Sequence, residues 1–109
     1  MDDLQEVFAK MVPGFQDIFG NALEQIILYG SVARGTHTDQ SDIDIALLVR
    51  NYTEDMHDKM IDLTVDLELE YNKVLSVILI DYDNFIEWEN VLPFYQNVKK
   101  DGIMLWSAA

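Results

Sequence analysis

Along the chain, the spacing of apolar side chains changes several times, and each change marks an element. Leu4, Val7, Phe8 and Met11 recur at helical spacing and predict an amphipathic helix at the start. Pro13-Gly14 should break it, with Phe15, Ile18 and Phe19 continuing in a second short helical turn. Gln25–Tyr29 is a short β-rich run that reads as a buried strand ending at Gly30. Val32-Ala33-Arg34 predicts one helical turn, and the polar stretch 35–41 reads as loop. From Asp42 to Val49 the pattern has period two, with Ile43, Ile45, Leu47 and Val49 on one side. Thr53 suits a helix N-cap, and Glu54 and Asp55 suit the positive end of that helix. Met56, Met60, Leu63 and Leu67 form its apolar stripe, while Asp55, Asp58, Asp62, Asp66 and Glu70 form an acidic one. The run 74–80 is almost wholly apolar and predicts a central strand. Asn84 with Glu87 predicts a capping box. Pro93 predicts the first position of a last helix that Gly102 terminates, with Lys99 and Lys100 near its end and a short strand over 103–106. The order is helices, strand, strand, helix, strand, helices. It predicts an α+β fold, a small mixed β-sheet with helices packed against it, as one domain over residues 1–109.

Composition narrows the function classes. Twenty acidic and seven basic residues give a net charge of −13, which disfavours broad binding to a phosphate backbone. Most of that charge is a solvated surface; the rest fits a cation site or a basic partner. The absence of cysteine excludes disulfides and thiolate metal sites and agrees with a reducing cytoplasm. The acidic N-terminus has no basic region followed by an apolar run, and the apolar stretches are too short to cross a bilayer, so the expected location is cytoplasmic, away from membranes. A domain of 109 residues buries a limited share of its surface, which leaves room for a homo- or hetero-oligomeric partner.

The chemistry concentrates between Gly30 and Asp44. Gly30 lets the chain turn sharply at a strand end and approach a ligand closely. The amides at the start of the following turn suit a phosphate; Ser31 can add a hydroxyl and Arg34 a positive charge, while Gly35 frees the chain to leave. Asp42 and Asp44, two apart on a strand, point the same way. Two close carboxylates repel unless protonated or bridged, and Mg²⁺, which takes few carboxylates and fills its shell with water and nucleotide phosphates, is the natural bridge. Alone, Asp-x-Asp is more often a solvated pair on an edge strand; next to a glycine-serine turn, a metal and phosphate site is the stronger reading.

Gly30-Ser31, ten residues, then Asp42-Ile43-Asp44 resembles the signature of the DNA polymerase β superfamily of nucleotidyltransferases, and Arg34-Gly35 and Ser41-Asp42 resemble its minimal prokaryotic branch. The resemblance implies the palm-like nucleotidyltransferase fold. It implies a triphosphate held at Gly30 and Ser31, with Arg34 and Ser41 alongside, Mg²⁺ on Asp42 and Asp44, and ATP as AMP donor to a hydroxyl. Members of the branch are often antitoxins paired with a HEPN-family RNase toxin, and some adenylylate a tyrosine of that toxin. The expectation is therefore an antitoxin-like protein adenylyltransferase. A small-molecule acceptor is disfavoured, because larger relatives hold such substrates with a further domain.

The resemblance also implies a third carboxylate, on a later strand, as metal ligand and base. Here that strand holds Ser76 and no acid; Asp81 follows it, and Glu68 and Glu70 precede it. This departure supports a second reading, a degenerate, noncatalytic nucleotide- or partner-binding module that neutralises a toxin by occlusion. Of the remaining polar and aromatic residues, His37 and His57 read as surface groups and Tyr29 as packed. Trp88, Phe94, Tyr95 and Trp106 read as core first and interface second.

Overall fold

A computed structural model of the chain describes residues 3–38 and 40–108. Its elements are α1 (Asp3–Phe19), a 3₁₀ turn (Gly20–Ala22), β1 (Leu23–Tyr29), α2 (Gly30–Arg34), β2 (Ile43–Val49), α3 (Glu54–Tyr71), β3 (Leu75–Asp81), α4 (Tyr82–Trp88), α5 (Pro93–Asp101) and β4 (Ile103–Ser107). The described strands form one mixed sheet in the order β3-β2-β1-β4. The β1–β2 and β1–β4 pairs are antiparallel and β2–β3 is parallel, as the α3 crossover requires.

Pro13 does not break the first helix. One helix runs from Asp3 to Phe19 with Pro13 inside it. Val7, Met11, Phe15 and Phe19 recur every fourth residue across the proline, and all four are buried. That continuous ridge outweighs the lost hydrogen bond and steric cost at Pro13, whose own side chain is exposed. Gly14 lets α3 come close: a Cβ there would meet the Leu63 side chain.

The sheet is covered on both faces. On one, α1 and α3 close the larger core around Ile26, Leu28, Ile43, Ile45, Leu47 and Val49, with Met60 and Leu67 from α3. On the other, Phe85 of α4 and Val98 of α5 pack on Ile27, Ala46, Leu48 and Ile80. Burial on both faces explains why the alternation in β2 is lost after Asp44: every residue from Ile45 to Val49 is buried.

The same double cover corrects the place of β3. It is an edge strand, not a central one. Leu75 turns to the first core and Ile80 to the second, so its apolar run reports two covered faces rather than two paired edges. A second correction concerns the cap of α4. Asp81, not Asn84, is its N-cap, and the Asp81 side chain accepts from the Asn84 amide at 3.3 Å. Thr53 caps α3 as expected, accepting from Met56 N at 3.2 Å, and Asn72 ends that helix in the left-handed region. Pro93 opens α5, and Gly102 follows it where a Cβ would overlap the Val98 carbonyl.

Candidate active site

β1 ends, and β2 and β3 begin, at one end of the sheet. The register there pairs Tyr29 with Asp44 and Asp44 with Ser76. Paired residues share a face, so Tyr29, Asp44 and Ser76 form one row across three strands, on the side that carries α4 and α5. Asp42 lies just before β2, two residues from Asp44. Ile43 between them is buried on the opposite face, and its amide donates to the Val74 carbonyl at 2.9 Å, which holds the start of β2 in place.

Gly30 has φ of 76°, a region that disfavours any other residue. An added Cβ would overlap the Asp44 carboxylate, so the turn and the carboxylate are built against each other. α2 starts at this glycine and closes on Gly35, also left-handed, whose amide donates to the Val32 carbonyl at 3.2 Å while Thr36 N donates to Ser31 O at 3.0 Å. Glycine at 30 and 35 is thus required by the backbone at the two ends of one helical turn.

Asp44 is partly buried, and burial raises its pKa above the ordinary value; the charge of Asp42 raises it further, and Arg34 opposes both. The Tyr29 phenol is raised as well, by burial first and the Asp44 charge second. Arg34 is exposed and lies 3.7 Å from the Asp101 carboxylate at the end of α5. These effects record two carboxylates brought close together at the strand ends, with the Arg34 guanidinium nearby. The donor set suits a hard divalent cation: two oxygen ligands on one face, mutually repelling, beside a close backbone approach.

Each residue singled out from the sequence has a place. Gly30, Ser31, Arg34, Asp42 and Asp44 lie on the linked ends of β1, α2 and β2. Ser41 shapes the loop that leads into Asp42. Its hydroxyl accepts from Thr38 N at 2.9 Å, and its amide donates to Thr38 O at 3.1 Å. Ser76 stands directly beside Asp44 in the parallel register. Asp81 pairs with Val49 five residues further along β3, roughly 16 Å away at strand rise, and serves as the α4 cap. Glu68 accepts from Leu75 N at 3.0 Å, and Glu70 pairs with Lys10. Among the described residues no group of three acidic, histidine or cysteine side chains is arranged to hold a metal ion. His37 is exposed, and His57 lies on α3, away from the row.

Two contributors were not legible as site residues. Phe94 of α5 meets the Tyr29 ring edge-on at 5.7 Å and walls the site from the side. Asp101 closes on Arg34. Both come from the far end of the chain, and α5 carries no sequence signal tying it to Gly30. Tyr95 and Trp106 are partly buried as expected, whereas Trp88 and Phe94 remain exposed.

Comparison with known proteins shows the family to which this fold belongs. Residues 16–109 match the family model described as polymerase beta, nucleotidyltransferase. A Methanocaldococcus jannaschii protein named "putative protein adenylyltransferase" is 32% identical over 105 residues, covering 94% of this chain and 97% of its own. A second of the same name and organism is 35% identical over 81 residues, covering 72% of this chain and 55% of its own, so the chain spans about half of that relative. Among solved structures, the fold resembles that of a chain in the complex of a tri-AMPylated Shewanella oneidensis HEPN toxin with MNT antitoxin (TM-score 0.58, 23% identity, 95% of this chain and 72% of that one). It also resembles a toxin-antitoxin crystal structure with AMP-PNP (TM-score 0.58, 24% identity, 91% and 73%).

Proposed function

The chain belongs to the polymerase β nucleotidyltransferase family, and from that premise we propose that it transfers AMP from ATP to a hydroxyl of a partner protein, with Mg²⁺ as its metal. The single observation that carries this reading is the fit of Gly30 against Asp44, with Asp42 beside it, at the mouth of one helical turn. We propose further that it acts as an antitoxin that modifies a HEPN-type toxin: the relatives' names support protein adenylylation, and the toxin-antitoxin complexes with a similar fold supply the partner class.

In the reaction the acceptor oxygen bonds to the α-phosphorus of ATP, the bond to the β-phosphate bridging oxygen breaks, pyrophosphate leaves, and the hydroxyl proton passes to solvent or a base. Gly30 lets the backbone approach the phosphates, the Ser31 hydroxyl offers a hydrogen bond, and Arg34 offsets phosphate charge. Asp42 and Asp44 would hold Mg²⁺, which when bound neutralises charge on the phosphates and lowers the barrier to displacement.

One observation favours a second reading. Ser76, which cannot act as a carboxylate ligand or base, occupies the strand position beside Asp44. A chain that binds nucleotide or partner without transfer would tolerate it. Mass spectrometry of a HEPN-type partner incubated with the protein, ATP and Mg²⁺ separates the two. Added AMP that disappears in folded Asp42→Asn and Asp44→Asn variants is the expected result. Partner inhibition that persists in those variants, without ATP, sinks the catalytic reading in favour of occlusion.

A further inference from the structure

α3 presents two apolar faces. The first, through Met60 and Leu67, is buried in the core. The second is Ile61, Val65 and Leu69, at i, i+4 and i+8, and these are 44, 43 and 78% exposed. The three side chains span about 12 Å of helix at 1.5 Å per residue. Asp58, Asp62 and Asp66 line one margin of this stripe, all exposed and, among the described residues, without a paired cation. The stripe runs toward the turn before β3, where Val74 is 55% exposed. The Val74 carbonyl accepts from the amide of Ile43, the residue between Asp42 and Asp44. A helix that needed only to cover the core would place polar residues at these positions.

We propose that the Ile61–Val65–Leu69 face of α3, continued by Val74, is a docking surface for a cationic protein segment whose apolar side chains are flanked by lysine or arginine. The charge of the surface selects that occupant. A second copy of this chain would bring another net −13 against the same acidic margin, and a nucleic acid or an anionic membrane would be repelled in the same way. A basic, amphipathic protein segment instead buries the apolar stripe and neutralises Asp58, Asp62 and Asp66. The docking surface lies on the helix that covers the sheet face opposite Asp44, and it does not depend on the proposed protein acceptor.

The test uses the full chain labelled with ¹⁵N and a synthetic amphipathic peptide of leucine and lysine, with a leucine–glutamate peptide of equal length as control. The expected amide shifts on adding the lysine peptide fall on residues 58–74. Val65→Ser together with Leu69→Ser should weaken binding about tenfold or more, as exposed anchors of an interface do. Asp62→Asn with Asp66→Asn should weaken it and flatten its salt dependence. All four positions are exposed or half-exposed, and unchanged spectra outside α3 would establish that the variants fold. The Asp42→Asn, Asp44→Asn protein should bind the peptide as the parent does, so loss of transfer and loss of docking are separately visible. Equal binding of the glutamate peptide, shifts confined to the Trp88–Phe94 region, unchanged affinity in the α3 variants, self-association through α3, or binding to phosphatidylglycerol vesicles through α3 would each overturn the proposal.

Discussion

At the residue scale, Asp44 combines three constraints: it faces Asp42, it is partly buried, and it excludes any side chain at position 30. Its raised pKa has a consequence for stability. The folded state holds this proton more tightly than the unfolded chain does, so the contribution of Asp44 to stability improves as pH falls through its folded pKa toward the ordinary carboxylate value. At neutral pH, without metal, the ionised group disfavours folding. Asp44→Asn should therefore raise Tm in EDTA at neutral pH, and the gap between variant and parent should narrow on acidification. Mg²⁺ should raise the Tm of the parent and leave the variant nearly unmoved. Thermal melts across pH, with and without the ion, check this; a destabilised variant in EDTA would show that Asp44 is held by a favourable partner instead. Most of the geometry of this candidate site was legible, because the glycine-serine turn and the Asp-x-Asp pair are local patterns whose shape follows from a left-handed turn and a two-residue strand period. The position of Ser76 directly beside Asp44 was not, because register between distant strands is set by packing.

At the scale of elements, local signals were reliable where the backbone itself imposed them. Thr53, Pro93 and Gly102 mark helix ends in the structure as they do in the chain. They failed where tertiary contacts outweighed them. Pro13 stands inside α1 because Val7, Met11, Phe15 and Phe19 stay on one buried ridge through it. The proline removes a helical hydrogen bond and crowds the preceding turn, and its side chain is exposed, so its replacement should restore what was lost. Pro13→Ala is expected to stabilise the protein by about 1–3 kcal/mol, with part of the gain offset by a freer unfolded chain. Urea denaturation measures it. A loss of stability would mean that α1 needs a bend at this position to seat against α3.

At the scale of the molecule, twenty acidic side chains share a chain with seven basic ones, and the described ion pairs are partly or largely exposed. Exposed pairs contribute little to stability, so the repulsion of the remaining acids is the larger effect. Raising the concentration of sodium chloride should therefore increase Tm, since screening weakens repulsion across the surface more than it weakens the few pairs. Calorimetry at several ionic strengths tests this. A falling Tm would show that pairs such as Lys10–Glu70 and Arg50–Glu24 outweigh the net charge. Among the described residues no helix is long and apolar enough to cross a membrane.

By itself, the sequence determined the order of elements, the α+β class, both turn glycines and the two carboxylates, because these depend on spacing within a few residues and on backbone conformations that few residue types adopt. Only the tertiary structure decided the rest. It placed β3 at the edge, since an apolar run records covered faces and cannot report which strands are neighbours. It sent Asp81 to cap α4 at the far end of the sheet and left Ser76 next to Asp44. It brought Phe94 and Asp101 of α5 onto Tyr29 and Arg34. Each of these is a contact between segments far apart in the chain. Such contacts are set by how two covered faces and one strand register close together, which no single stretch of residues contains.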